Sequence, residues 1–169
     1  GDSGATSGGG LSANHSRHEE VLDRAARQLN GRGMSQSSLA ELAASLGFTR
    51  NALYHYMEDF SDLLGQVYRR SCHLLDGRLE EAEAAGSSLK ILQAFVVLSL
   101  DAARPEISSL NEYGLLRPDD RAAVVDLYER TEARLAAIVA RGSRVGELRA
   151  CDPVIVARTI INLIHWAPL

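Results

Sequence analysis

Two short helices hinged at a single glycine are legible in residues 37–56, SSLAELAASLGFTRNALYHY, and no other stretch narrows the fold as far. Ser38 and Glu41 stand at S-x-x-E spacing, which predicts a capping box at the start of the first helix. Leu39, Leu42, Ala43 and Leu46 recur at helical spacing and give that helix one apolar face. Gly47 follows the last periodic residue, where a left-handed cap costs least without a Cβ. Thr49 is placed to cap the second helix, and Ala52, Leu53 and Tyr56 give it an inward side. Arg50, Asn51, Tyr54 and His55 are left pointing largely outward. A polar, aromatic-rich outer face on the second of two hinged helices is the layout of a helix-turn-helix that reads DNA.

Helical periodicity continues along the chain with no strand pattern interrupting it, so an all-α fold is expected. Ser16-x-x-Glu19 and the stripe Val21, Leu22, Ala25, Ala26, Leu29 predict a helix over about Arg17–Asn30, broken by Gly31-Arg32-Gly33. With the two hinged helices it makes a small three-helix bundle. A longer helix, capped by Ser61 or Asp59, carries Leu63, Leu64, Val67, Tyr68, Leu74, Leu75 and Leu79 and ends near Gly86. Its length suits a mechanical link to a second unit. Residues 88–103 are apolar on nearly every side, which predicts a helix in the middle of a bundle, ended by Pro105. Pro118-Asp119-Asp120 opens another helix running to about Arg141, with Val125, Tyr128, Leu135, Ile138 and Val139 inward. Gly142 and Gly146 mark its turn, and Asp152-Pro153 opens the last helix, Val154–Trp166. The expected organisation is a flexible Gly/Ser-rich tail at residues 1–14, a helix-turn-helix domain at 15–60 and a helical-bundle domain at 61–169.

Charge sorts with this division. The whole chain carries −4, which argues against coating nucleic acid by charge alone. Residues 15–57 nevertheless hold Arg17, Arg24, Arg27, Arg32 and Arg50 against Glu19, Glu20, Asp23 and Glu41, and the acidity lies in the remainder. Aromatics are only 5% of residues, so the core must be built from Leu, Val, Ile and Ala. Cys72 and Cys151 read as reduced, buried thiols rather than a disulfide framework. The opening GDSGATSGGG lacks the apolar core of a signal peptide, and the runs Phe95–Leu100 and Val154–Ile164 are too short or interrupted to span a bilayer. A cytoplasmic protein with no membrane partner is expected. His73 with His165, and His15-x-x-His18, lack further donors at ligand spacing, so no metal and no cofactor is assigned. No Ser-His-Asp or Cys-His grouping and no glycine-rich phosphate loop supports an enzyme built on His73 or His165. The remaining competitor to DNA binding is a helical adaptor that takes protein partners on its apolar carboxyl end.

Residues 33–56, GMSQSSLAELAASLGFTRNALYHY, closely resemble the amino-terminal domain of TetR-type transcriptional regulators. The resemblance begins at Val21-Leu22-Asp23-Arg24-Ala25-Ala26 and ends at Asp62-Leu63-Leu64, with Leu53-Tyr54-His55-Tyr56 as its most specific run. Gly146-Glu147-Leu148-Arg149-Ala150, followed by Asp152-Pro153, also resembles the approach to the penultimate helix of TetR-type ligand domains. The resemblance implies a ligand-responsive regulator, a repressor released from a palindromic double-stranded operator by a small apolar effector. Ser38, Thr49, Tyr54 and His55 match positions that touch phosphate, while Arg50 and Asn51 match positions that reach base edges. The chemistry agrees, since Arg bonds guanine O6 and N7 and Asn pairs with adenine. A ligand pocket is expected between the helices of the second domain, with Tyr68, His73, Phe95, Tyr113, Tyr128, Asn162 and His165 as candidates. The resemblance also implies a homodimer built from the final two helices, for which Ile155, Thr159, Ile160, Leu163 and Trp166 make a second apolar face. TetR-type chains usually carry one more long helix than is legible before Leu169, so the family's last helix is either missing or replaced.

One departure has a measurable effect. Family members commonly follow the second hinged helix with an aromatic and then a lysine that meets a phosphate. Here the run is Met57-Glu58-Asp59-Phe60, with the lysine missing and two acids nearby. Titrating a short duplex at several salt concentrations should therefore give a shallow slope, with only a few counterions released per protomer.

Overall fold

In the computed structural model, which describes residues 8–166, the apolar stripes close into two clusters threaded by one long helix. The elements are α1 (Gly8–Arg32), α2 (Leu39–Ser45, entered through a 3-10 turn at Gln36–Ser38) and α3 (Arg50–Leu53). They continue with α4 (Phe60–Glu83), α5 (Ser88–Leu100), a 3-10 turn at Tyr113–Leu115, α6 (Pro118–Arg144) and α7 (Pro153–Trp166).

The first cluster joins Val21, Leu22, Ala25, Ala26 and Leu29 of α1 to Leu39, Leu42 and Leu46, to Leu53, and to Leu63, Leu64 and Val67 of α4. Each leucine taken fully from water stabilises the fold by about 1.5–3 kcal/mol, so the stripes read from the sequence suffice to close this bundle. The second cluster joins Leu75, Leu79 and Ala82 of the same α4 to Ile91, Phe95, Leu135, Ile138, Ala157, Ile161 and Ile164. At 24 residues α4 is roughly 36 Å long, and it is rooted in both cores.

Several expectations need correction. Residues 8–14, expected in a flexible tail, form the first turns of α1, while residues 1–7 of that tail lie outside the described residues. Ser16 and Glu19 therefore sit inside a helix and make no capping box there; Glu19 instead pairs with Arg70 at 2.8 Å. Asp59, not Ser61, caps α4, its Oδ1 accepting from Asp62 N–H at 2.8 Å. α5 is not central: Ile91 and Phe95 face the core, but Leu89, Val97 and Leu100 are exposed. Its all-round apolarity combines one core face with one outer face. It ends at Leu100, before Pro105 acts. Val124 rather than Val125 turns inward on α6, and Cys151 is exposed. Cys72 is buried, which pushes its thiol up to about 12. α6 also runs through Gly142, where a Cβ would meet side-chain atoms of Ser88 and Leu148 at 2.7 Å. The glycine marks a close approach of α5 to α6, and the turn falls to Gly146, at φ 80°.

Between α5 and α6 the chain crosses α1 and α4, fastened by polar bonds. Asp23 of α1 accepts Glu106 N–H at 2.7 Å and pairs with Arg27 and Arg70 at 2.9 and 3.3 Å. Asn30 donates to Ile107 O and accepts from Ser109 N–H, at 2.8 and 2.7 Å. Ser71 of α4 meets Ser108 through both backbone and hydroxyl, and Tyr68 Oη accepts Glu112 N–H at 2.8 Å. Burial alone would raise the Asp23 pKa, but the Glu106 N–H and the Arg27 and Arg70 guanidiniums outweigh it and hold the carboxyl below its ordinary value. A lowered folded-state pKa stabilises above the unfolded value and is lost as pH falls through the folded one. Asp23→Ala should thus cost about 1.5–3 kcal/mol near neutral pH, the range for hydrogen bonds to charged groups. Urea unfolding at descending pH should show parent and variant converging as Asp23 protonates.

Candidate nucleic-acid interface

The hinge forms as the sequence demands. Phe48 N–H donates to Ala43 O at 2.8 Å and Gly47 N–H to Ala44 O at 3.1 Å, the paired bonds of a Schellman cap. Gly47 takes φ 69° to allow them. Thr49, extended at φ −75° and ψ 157°, accepts Ala52 N–H on its hydroxyl at 3.2 Å and so caps α3. α3 makes only one α-helical turn. Beyond it Tyr54, His55 and Tyr56 wind on by bonds to the carbonyls three residues back.

Arg50, Asn51, Tyr54 and His55 all lie exposed on one side of this winding, with Thr49 exposed at its start and Leu53 buried behind it. Spacing of i, i+1, i+4 and i+5 groups them on a single face. Ser38 is half-buried at the entrance to α2 but makes no side-chain cap; its Oγ accepts Ser35 N–H at 3.2 Å. The expected box fails because Glu41 turns away to Arg32, at 2.6 Å.

Support for this face comes from residues whose part the sequence reading missed. Phe48 and Tyr56 stack with ring centroids 5.8 Å apart, and the Arg17 guanidinium lies 4.6 Å over Phe48. His18, considered only as a weak metal candidate, stands against Tyr56 and bonds Gln66 Oε1 at 2.7 Å. Gln66 in turn donates to Tyr56 O at 3.0 Å and Asp62 at 2.9 Å. No local pattern around Arg17 and His18 signals this brace, because its partners Phe48, Tyr56 and Gln66 lie about 30 or more residues away in sequence. Glu58 and Asp59, the acids that stand where the family's lysine is missing, are both met by Arg117, at 3.0 and 2.8 Å. Asp59 is held below its ordinary pKa by the Asp62 N–H and then by Arg117. Their negative charge is accordingly offset by a guanidinium that stands immediately before α6.

The seven ligand candidates do not converge. Tyr113, Tyr128 and Asn162 share a cavity of about 330 Å³ with Leu110, Val124 and Arg158, and Tyr128 Oη donates to Asn162 at 2.8 Å. Tyr68 and Phe95 are wholly buried core residues. His73 is exposed, lining a shallow recess with Arg69 and Arg70. His165 is buried, bonds Ser108 O through Nδ1 at 3.1 Å and is kept neutral by burial. The five candidates for subunit contact do share one face: Ile155, Thr159, Leu163 and Trp166 are exposed on α7 and Ile160 is half-buried beside them. No helix among the described residues is long and apolar enough to cross a membrane.

Comparison with known proteins matches this geometry. Residues 21–64 match the family described as bacterial regulatory proteins, tetR family, and residues 89–169 match the tetracyclin repressor-like carboxyl-terminal domain. Among curated proteins, the HTH-type transcriptional regulator AcrR of Shigella flexneri is 24% identical over 160 residues, covering 85% of this chain and 74% of its own length. The HTH-type transcriptional regulator TtgR of Pseudomonas putida is 29% identical over 147 residues, covering 78% and 70%. Among solved structures, AibR in complex with isovaleryl coenzyme A and operator DNA superposes with a TM-score of 0.72 at 22% identity, over 90% of this chain and 85% of that one. PfmR from Thermus thermophilus, a TetR family regulator, does so at 0.68 and 24% identity, over 88% and 84%. At such identities the two structures speak for the fold alone; with both halves of the chain matched to the same family, the protein belongs to the TetR family of transcriptional regulators.

Proposed function

We propose that the protein is a dimeric repressor that holds a palindromic operator and releases it when a small, largely apolar effector enters the helical second domain. The observation that carries this reading is the exposed face of Thr49, Arg50, Asn51, Tyr54 and His55 on a braced helix start. One turn of helix reads only a few base pairs, so two copies are needed, with the α3 faces in major grooves roughly 34–36 Å apart. The second copy meets the first across α7, where Ile155, Leu163 and Trp166 are 64, 65 and 59% exposed. Such residues in a row are costly to leave in water. Effector and operator oppose each other through a coupling of about 1–3 kcal/mol. α4, rooted in both cores, and the 101–117 crossing, fastened to α1, carry the change between domains.

Selection of random duplexes at moderate salt should enrich an inverted repeat. An adaptor for protein partners has no reason to enrich one, and a folded protein that enriches nothing sinks the repressor reading. On the selected operator, Arg50→Ala and Asn51→Ala should each lose about 1–3 kcal/mol, confined to one base position per half-site. Wild-type affinity in both variants would contradict the assignment of α3 as the reading element. In analytical ultracentrifugation the parent should sediment as a dimer and Leu163→Glu as a folded monomer; a dimeric Leu163→Glu would move the subunit contact elsewhere.

A further inference from the structure

At the carboxyl end of α5 lies a cavity of about 160 Å³, separate from the one that Tyr113, Tyr128 and Asn162 share. Arg78 of α4 and Ser99 of α5 form its polar side; Leu100, Pro105, Ile107 and Ile164 form its apolar side. Both polar residues are more than nine-tenths buried, at 5 and 8% exposure. Arg78 has no carboxylate partner among the described residues. Its guanidinium donates to Ser99 O at 3.1 Å and to Pro105 O, two carbonyls that satisfy donors but carry no net charge. Ser99 Oγ is buried with no hydrogen-bond partner among the described residues. A buried guanidinium without a direct ion pair is costly, and an orphaned hydroxyl beside it adds to the cost. Loss of water leads the influences that hold Arg78 below its ordinary pKa; Arg104 and Arg70 add to it, while the more distant charges of Glu106 and Asp101 oppose it.

Two acids also border the cavity, but each is engaged elsewhere. Asp101 accepts Ala103 N–H at 2.9 Å and faces Arg104. Glu106 is held by Asn30 at 2.8 Å and Arg27 at 3.2 Å. A cation without a direct ion pair, an unsatisfied hydroxyl and an apolar wall thus share one space. A protein cavity of about 150 Å³ accommodates benzene, which sets the size of an occupant.

We infer that this cavity binds the carboxylate of a small organic acid, its charge on Arg78 and Ser99 and its compact apolar body against Leu100, Ile107 and Ile164. The inference rests on the effector-released repressor reading and names the chemical class of that effector. The cavity wall is the start of the 101–117 crossing, whose Glu106 and Ile107 are bonded to Asp23 and Asn30 of α1. An acid that draws Arg78 away from Ser99 O and Pro105 O therefore acts on the segment that fastens the DNA-facing bundle.

Isothermal titration calorimetry on the full chain tests this with acetate, isobutyrate and benzoate, and with benzamide as a neutral molecule of benzoate's shape. Benzoate should bind the parent at least tenfold more tightly than benzamide. Ser99→Ala removes only the orphaned hydroxyl and should weaken benzoate roughly tenfold or more. Arg78→Met, which replaces a buried charge by an apolar chain of similar length, should weaken it roughly 30-fold or more. Saturating benzoate should also lower operator affinity by roughly 5–150-fold. The assignment is overturned if no carboxylate of the series binds the parent, or if either variant binds benzoate as the parent does. Intact operator binding with no carboxylate bound defeats this assignment alone. Carboxylate binding that depends on Arg78, in a protein that enriches no inverted repeat, defeats the repressor reading instead.

Discussion

Beside the continuous helix α4, the two halves of this protein are tied together by one carboxylate and one amide on α1. Asp23 and Asn30 sit two turns apart, and between them they take up the backbone of residues 106–109 as it crosses the helix. Without those bonds the crossing would carry buried peptide groups with no partner, a cost no apolar contact nearby could offset. The apolar clusters explain why each half folds, while the polar crossing explains why the halves keep a fixed relation. That division of labour suits a switch, since hydrogen bonds are directional and can be exchanged for others, whereas a packed core yields only as a whole.

How far the sequence foretold this follows from the range of each interaction. The Gly47 cap, the Thr49 cap and the outward face of Arg50, Asn51, Tyr54 and His55 depend on neighbours within a few residues, and all were legible. The Ser38–Glu41 box was an equally local expectation, yet it lost to a competitor from another helix, Arg32. Ser16 and Glu19 failed for another reason: α1 begins earlier, at Gly8, which leaves Glu19 free to pair with Arg70 of α4. The ligand candidates fared worse because a cavity is defined by which side chains fail to touch, and periodicity cannot report that. Tyr68 and Phe95 were chosen as large aromatics and proved to be core. Arg78 and Ser99 were passed over, because nothing in their local pattern marks a polar group for burial.

The surface around α3 is economical with charge. Arg32 is spent on Glu41 and Arg17 on Glu20 and Phe48, so Arg50 stands out on the exposed α3 face. Arg117, immediately before α6, covers Glu58 and Asp59 just beyond it. Part of the electrostatic environment of the α3 face is therefore supplied from the start of α6, and a shift there changes the field around that face without moving α3 at all.

The close approach at Gly142 sets where α5 is able to move. Its first residue, Ser88, is locked between helices: its hydroxyl donates to Ile138 O at 2.8 Å and its N–H to Glu147 at 2.6 Å. At the far end of the same 13-residue helix, Ser99 O accepts from the Arg78 guanidinium at 3.1 Å. With two hydrogen bonds at its first residue and one near its last, any tilt of α5 pivots about Ser88. Small displacements at the far end are then magnified relative to any at the pivot, and they fall where the chain turns toward α1.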